Sequence, residues 1–288
     1  MHEIEKENHG GFDMSDVVIV ASAFGADAIR REGHEAWLEV AAQAGAAAFE
    51  VRRELFAAEV QAGLPALRVL GAAIAAQGMW SVYSTPTTLY TPLGALDEAA
   101  LLLAVEEAAA LGARFVKLQL GGFGASAGST RGTDSGVDAA GTANVPQADG
   151  ERIAACVRGS SARLVVENGQ LREGGLVAQF VGLFNALQRE DCSDTLGMTF
   201  DIGNWQWTDE TPLDAARQLA PHVEYVHCKS VTGAGARRFA VAPAADDPVC
   251  AAVLQRLPRN VPRGIEFPFD PSCLASDASR YVAWLGAA

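Results

Sequence analysis

Four short apolar runs in the second half of the chain each end on a side chain able to bind a metal ion. They are Leu164-Val165-Val166-Glu167, Met198-Thr199-Phe200-Asp201, Glu224-Tyr225-Val226-His227 and Gly264-Ile265-Glu266. The ends lie 34, 26 and 39 residues apart, about one strand-plus-helix unit each time. On successive strands of one parallel barrel they would converge at its C-terminal mouth. Three carboxylates and an imidazole meeting in a concave site cannot all stay charged and unpaired, and a divalent cation is the simplest way to hold them together. The pattern predicts a metal enzyme.

Such a site needs a scaffold, and the sequence reads as eight strand-helix units. Expected strands are Val17–Ala23, Ala46–Val51, Met79–Ser84, Arg114–Leu120, Arg163–Glu167, Leu196–Ile202, Val223–Cys228 and Arg263–Phe267. They are nearly continuously apolar, as in strands covered by helices outside and by side chains within. Helical stretches lie between them, among them His34–Ala44, Ala95–Leu111, Leu176–Arg189, Leu213–Leu219 and Pro248–Leu257. The alternation predicts an α/β fold, a (β/α)8 TIM barrel. A dinucleotide-binding sheet is disfavoured, because no GxGxxG joins a first strand to its helix. Residues 1–15 read as a disordered leader and 16–288 as a single barrel domain. The Gly-, Ala-, Ser- and Thr-rich stretch over 121–150 is either a lid or an insertion.

A chain of 288 residues with 49% hydrophobic content suits one such domain. No apolar stretch approaches the roughly 20 residues that span a bilayer, and the polar start does not read as a signal peptide. Five scattered cysteines, Cys156, Cys192, Cys228, Cys250 and Cys273, suit free thiols in a reducing compartment. The expectation is a soluble cytoplasmic protein, with no membrane partner and possible homo-oligomers. A net charge of −13 argues against nucleic acid, whose binding draws on Lys and Arg neutralising phosphates.

Taken in order and at barrel spacing, the four ligand-bearing runs carry a resemblance, together with Phe49-Glu50-Val51-Arg52-Arg53-Glu54-Leu55, Glu167-Asn168, Asp201-Ile202-Gly203-Asn204-Trp205, His227-Cys228-Lys229 and Glu266-Phe267-Pro268. The sequence resembles the xylose isomerase-like TIM-barrel superfamily, in its sugar phosphate isomerase/epimerase branch, which includes D-tagatose 3-epimerase-type enzymes. The resemblance covers roughly residues 17–285. It implies one divalent ion on Glu167, Asp201, His227 and Glu266, and a small sugar-like substrate. Glu167 and Glu266 would be the acid/base pair, moving a proton next to a carbonyl through a metal-bound enediolate. The oxygen-rich donor set suits Mn²⁺ first, with Mg²⁺ or Co²⁺ as alternatives. The endonuclease IV branch needs more histidines than this chain supplies; His2, His9, His34 and His222 fall in the leader, at a helix start or in a loop.

Other residues carry two readings each. Lys229, two residues beyond His227, reaches substrate or is a surface lysine. Lys117 and Gln119 are polar on an apolar strand and point into the mouth. Glu50 and Arg52 are a substrate clamp or a structural ion pair, and Arg53 and Glu54 lean structural. Arg237 and Arg238 are candidate anion contacts. Phe24, Tyr83, Trp205, Trp207 and Phe267 wall the pocket or simply fill core. One position departs from the branch: Asn204 stands where its epimerases commonly place a histidine. Asn can hydrogen-bond a hydroxyl but carries no proton. A metal-dependent dehydratase of a keto-polyol is therefore the alternative reaction, and a non-catalytic sugar- or protein-binding barrel the alternative class.

Overall fold

The computed structural model describes residues 15–124, 146–235, 237–244 and 246–288. The expected leader falls almost wholly outside them, and so does most of the candidate lid. Among the described residues ten strands form: β1 (Val17–Val20), β2 (Ala48–Arg52), β3 (Trp80–Tyr90), β4 (Phe115–Gly121), β5 (Arg163–Glu167), β6 (Gly197–Asp201), β7 (Val223–Cys228), β8 (Ser230–Ala234), β9 (Arg237–Val241) and β10 (Arg263–Ile265). Eight of them close a parallel barrel in the order β1-β10-β7-β6-β5-β4-β3-β2, so the expected (β/α)8 architecture is present. The remaining two, β8 and β9, make an antiparallel hairpin above the mouth, directly after β7.

The helices are α1 (Ala26–Glu32), α2 (Leu38–Gln43), α3 (Leu64–Ala76), α4 (Glu98–Leu111), α5 (Gly150–Val157), α6 (Val177–Arg189), α7 (Asn204–Trp207), α8 (Pro212–Leu219), α9 (Pro248–Leu254) and α10 (Leu274–Ala287). Each long helix turns an apolar stripe onto the sheet; α6 buries Phe180, Leu183, Phe184 and Leu187. No described helix is long and apolar enough to cross a membrane. The five cysteines are free.

Two strand boundaries differ from expectation by more than two residues. The first strand stops at Val20, because Ala21–Phe24 wind into a 3-10 turn closed by Gly25 at φ 98°. That conformation favours glycine, and it redirects the chain into α1. The third strand runs on to Tyr90 instead of ending at Ser84, with its register against β4 shifting between Ser84 and Thr88. Pro86 lies in the shifted stretch, where a residue without an N–H is tolerated.

The barrel interior is stacked in layers, and the layers position the site. Val18, Ala48, Val82, Phe115, Val165 and Tyr225 form a separate apolar cluster, a plug inside the staves. Side chains two residues further along a strand share its face. One step up from that plug, Ala48 gives way to Glu50, Phe115 to Lys117, Val165 to Glu167 and Tyr225 to His227. All four are buried. A further step brings Arg52, Gln119 and Lys229. The change from apolar to ionisable along β2, β4, β5 and β7 is the floor of the mouth.

Candidate active site

Glu167, Asp201, His227 and Glu266 each offer a donor atom, all within 4.8 Å of one another. Their strands dictate this. Asp201 and His227 are register partners between β6 and β7, and Gly264 of β10 sits opposite His227, so Glu266 emerges one step above it. A Cβ at Gly264 would stand 2.5 Å from Tyr225 Oη and 2.9 Å from His227 Cδ2. The absent side chain is what lets the imidazole lie against β10.

His227 Nδ1 lies 2.7 Å from Glu167 Oε1, 3.1 Å from Glu266 Oε2 and 3.9 Å from Asp201 Oδ2. Ligands about 2.0–2.2 Å from one ion stand about 3 Å apart when adjacent, so the four donors fit a single small divalent ion. The other ring nitrogen, Nε2, is 2.8 Å from Glu50 Oε2. Tyr225 Oη donates to the same oxygen at 2.9 Å. Second-layer carboxylates of this kind fix the orientation of a ligand histidine.

The carboxylates are not left unpaired among themselves. Lys117 Nζ lies 2.9 Å from Glu167 Oε2 and 3.2 Å from Glu50 Oε1, and Gln119 Nε2 donates to Glu167 Oε2 at 2.6 Å. Arg52 Nη1 donates to Glu266 Oε1 at 2.6 Å, while its Nη2 pairs with Glu54. Lys229 Nζ is 2.6 Å from both Asp201 Oδ2 and Glu266 Oε2. The charge argument drawn from the ligand types alone is therefore incomplete: three resident cations share the work of holding the cluster together.

The ionisation of the cluster follows from this crowding. Burial alone would raise Glu50, but Lys117 and His227 outweigh it and hold the carboxyl down at about 2. Burial likewise opposes ionisation of Glu167, and Lys117 and His227 keep it below the ordinary carboxylate range. Glu266 is held well below that range against burial by Lys229, His227 and Arg52. Asp201 goes the other way: burial, with Glu266 and Glu167 adding to it, raises it to about 7 despite Lys229. For His227, burial and Lys117 act against the charged form, yet Glu50, Glu266 and Glu167 lift it well above its usual value.

The remaining candidates fall into two groups. Glu50, Arg52, Lys117, Gln119 and Lys229 all join the network just described. Asn204 is buried beside it; its backbone N–H donates to Asp201 Oδ1 at 2.9 Å and its Nδ2 to Asn168 O at 2.8 Å. Arg237, by contrast, stands exposed on the hairpin, and Arg238 bonds Gln206 O and Asp209. Arg53 turns outward to Glu107 and Glu59. Trp205 packs on Phe180 and Phe200, Tyr83 Oη donates to Glu107, and Phe24 and Phe267 pack against Phe269.

Two contributors escaped the sequence reading. Tyr225 is buried one step below His227 and was legible only as an apolar strand residue. Asn168 accepts from Asp201 N at 2.8 Å and donates to Asp201 O at 3.0 Å, clamping the ends of β5 and β6 together. An amide side chain directly after a strand-end glutamate is the signal that points to it.

No family model and no curated protein matches the chain. Solved structures do. A xylose isomerase domain protein from Planctomyces limnophilus aligns at TM-score 0.62 and 16% identity, over 95% of this chain and 97% of that one. D-psicose 3-epimerase from Clostridium cellulolyticum H10, solved with D-tagatose, aligns at 0.61 and 11% identity, over 94% and 98%. A probable 3-DHS dehydratase from Bacillus anthracis aligns at 0.58 and 12% identity, over 92% and 98%. With these neighbours and a closed eight-stranded parallel barrel, the chain has the fold of the xylose isomerase-like TIM-barrel proteins.

Proposed function

We propose that the protein is a divalent-metal-dependent isomerase or epimerase of a small hydroxy-carbonyl sugar or sugar derivative. The observation that carries this reading is the convergence of Glu167, Asp201, His227 and Glu266 within 4.8 Å at the barrel mouth. These four residues would hold the ion, with Mn²⁺ expected and Mg²⁺ or Co²⁺ suited to the same donors. When bound, it would supply Lewis-acid polarisation of the substrate's oxygens.

The chain's own residues do the rest. Glu167 has Oε2 fixed by Lys117 and Gln119, and Glu266 has Oε1 fixed by Arg52, so each carboxylate is locked in plane. Both are held ionised by neighbouring cations, so either can be the first to accept a proton. One carboxylate removes the proton next to the carbonyl. Return of that proton by the same carboxyl to the neighbouring carbon moves the carbonyl, whereas inversion requires the facing carboxylate to take up a proton from solvent and deliver it from the opposite side, the first carboxyl then losing its proton to solvent. Asn204, with Nδ2 committed to Asn168 O, has its Oδ1 left to orient a substrate hydroxyl.

A dehydratase is the second reading. Asn204 cannot shuttle a proton, and the same first step followed by loss of a β-hydroxyl needs none from it; the probable dehydratase among the structural neighbours has the same fold. Proton NMR in D₂O tests both. The Mn²⁺-loaded protein is incubated with a panel of ketoses and polyol-derived ketones. Deuterium next to the carbonyl with a new isomer supports the main reading, and a dehydrated product supports the second. No exchange in any compound, together with no bound metal by elemental analysis, overturns both.

A further inference from the structure

Lys229 is not placed as a surface or merely substrate-facing lysine. Its side chain is 4% exposed, and its ammonium lies 2.6 Å from Asp201 Oδ2 and 2.6 Å from Glu266 Oε2. Those are the same oxygens that face His227 Nδ1, two of the four donors of the ion site. A divalent ion seated on them would stand within a few ångströms of a buried ammonium, with little water between to screen the repulsion.

The fold has made room for this lysine. Gly203, at the start of α7, has ordinary helical backbone angles, φ −75° and ψ −34°, which any residue adopts. Its missing side chain serves Lys229 instead: a Cβ there would stand 2.6 Å from Lys229 Cγ and 3.1 Å from its Cε. The lysine stem thus lies in a groove that a single methyl would close. Beyond it, the ring of Trp207 lies 5.8 Å from Nζ, close enough to receive a cation over its face.

Resting on the metal reading above, we propose that Lys229 is a tethered cation that closes the ion site in the metal-free protein, and that a divalent ion displaces its ammonium from Asp201 and Glu266 toward Trp207. The lysine holds the two carboxylates in place until the ion arrives. Once displaced, it adds a positive charge beside the ion on the Trp207 side of the mouth.

Binding of Mn²⁺ measured by equilibrium dialysis, together with melting, tests this without reference to activity. Lys229→Met keeps the length of the stem and removes the charge. The variant should bind Mn²⁺ at least tenfold more tightly than the unaltered protein, melt lower when metal-free, and gain more from added Mn²⁺. A crystal of the unaltered protein soaked in Mn²⁺ should show Nζ beyond hydrogen-bond distance of both oxygens, and decides the matter if the variant fails to fold. Equal or weaker Mn²⁺ binding by a folded variant overturns the Lys229 inference, as does an undisplaced ammonium in the loaded crystal; either leaves the metal reading standing. Failure of both proteins to bind Mn²⁺ overturns the two together. Binding by the variant alone supports the inference in its strongest form.

Discussion

Nε2 of His227 lies 2.8 Å from Oε2 of Glu50, a residue 177 positions away in sequence. The contact settles which imidazole nitrogen faces the other three donors, since the ring can present Nδ1 to them only while Nε2 is held from below. Glu50 also accepts from Tyr225 and pairs with Lys117, so its charge is matched on every side. Glu50→Gln keeps the shape but sets an amide N–H against groups that are all donors. We expect Mn²⁺ affinity to fall about 10–100-fold, the usual loss when the partner of a ligand histidine is altered. Equilibrium dialysis checks this, and undiminished affinity would show that the ring needs no such anchor.

Lys117 is fully buried between two carboxylates, Glu50 and Glu167. Removing one member of a buried ion pair leaves its partner uncompensated, at a cost of about 3–5 kcal/mol. Lys117→Met should therefore destabilise the metal-free protein by that order in urea unfolding. Combining it with Glu50→Gln removes one of the stranded charges, so the double variant should lie about 1–3 kcal/mol above the sum of the single losses. Strict additivity would mean that the 3.2 Å approach to Glu50 carries no energy.

The legible part of the site was the part that breaks a pattern. A glutamate, aspartate or histidine ending an apolar run stands out, and so do Lys117 and Gln119 inside one, because an inward position in a barrel strand is normally apolar. Arg237 stands apart from the buried network for a reason that pattern does not carry. It follows β7 in sequence, but the chain turns into the β8–β9 hairpin, and the antiparallel pairing carries it out to solvent. Tyr225, Gly203 and Gly264 were illegible because what they do is spatial: each matters through an atom, or the lack of one, lying against a residue on another element. The 3-10 turn after Val20 was hidden for a local reason, since Ala-Ser-Ala-Phe does not break the apolar run and only Gly25 marks its end.

His34 gives a pH signature away from the ligands. It is buried, lies against the tilted ring of Phe56 and accepts a hydrogen bond from Arg52 N through Nε2. Burial lowers its pKa to about 4. The unfolded chain, at about 6.5, thus binds the proton more readily between pH 4 and 6.5, and this group's contribution to stability is lost as pH falls through that window. The shift corresponds to about 3 kcal/mol. His34→Gln keeps an acceptor for Arg52 and removes the titration. The stability difference between the two proteins should change by about that amount from pH 7 to pH 4 in urea unfolding, with the wild type losing more on acidification. A pH-independent difference would place a charged imidazole in the folded state.

The roles of Glu266 and Asn204 separate in an exchange experiment. Glu266 is fixed by Arg52 through one oxygen and faces His227 and Lys229 with the other, whereas Asn204 is bound into the backbone of Asn168 and Asp201. Glu266→Gln removes a base and weakens the ligand set together. Deuterium exchange and turnover should fall in step, by about 10²–10⁴-fold. Asn204→Ala removes no proton carrier; it strands the carbonyl of Asn168 and loses a substrate contact. Its effect should appear as about 1–3 kcal/mol shared between folding stability and substrate binding, with the exchange rate at saturation little changed. If Glu266→Gln exchanged normally while Asn204→Ala abolished exchange, the base would have to be sought on the Asn204 side of the mouth, and Glu266 would be left as a ligand only.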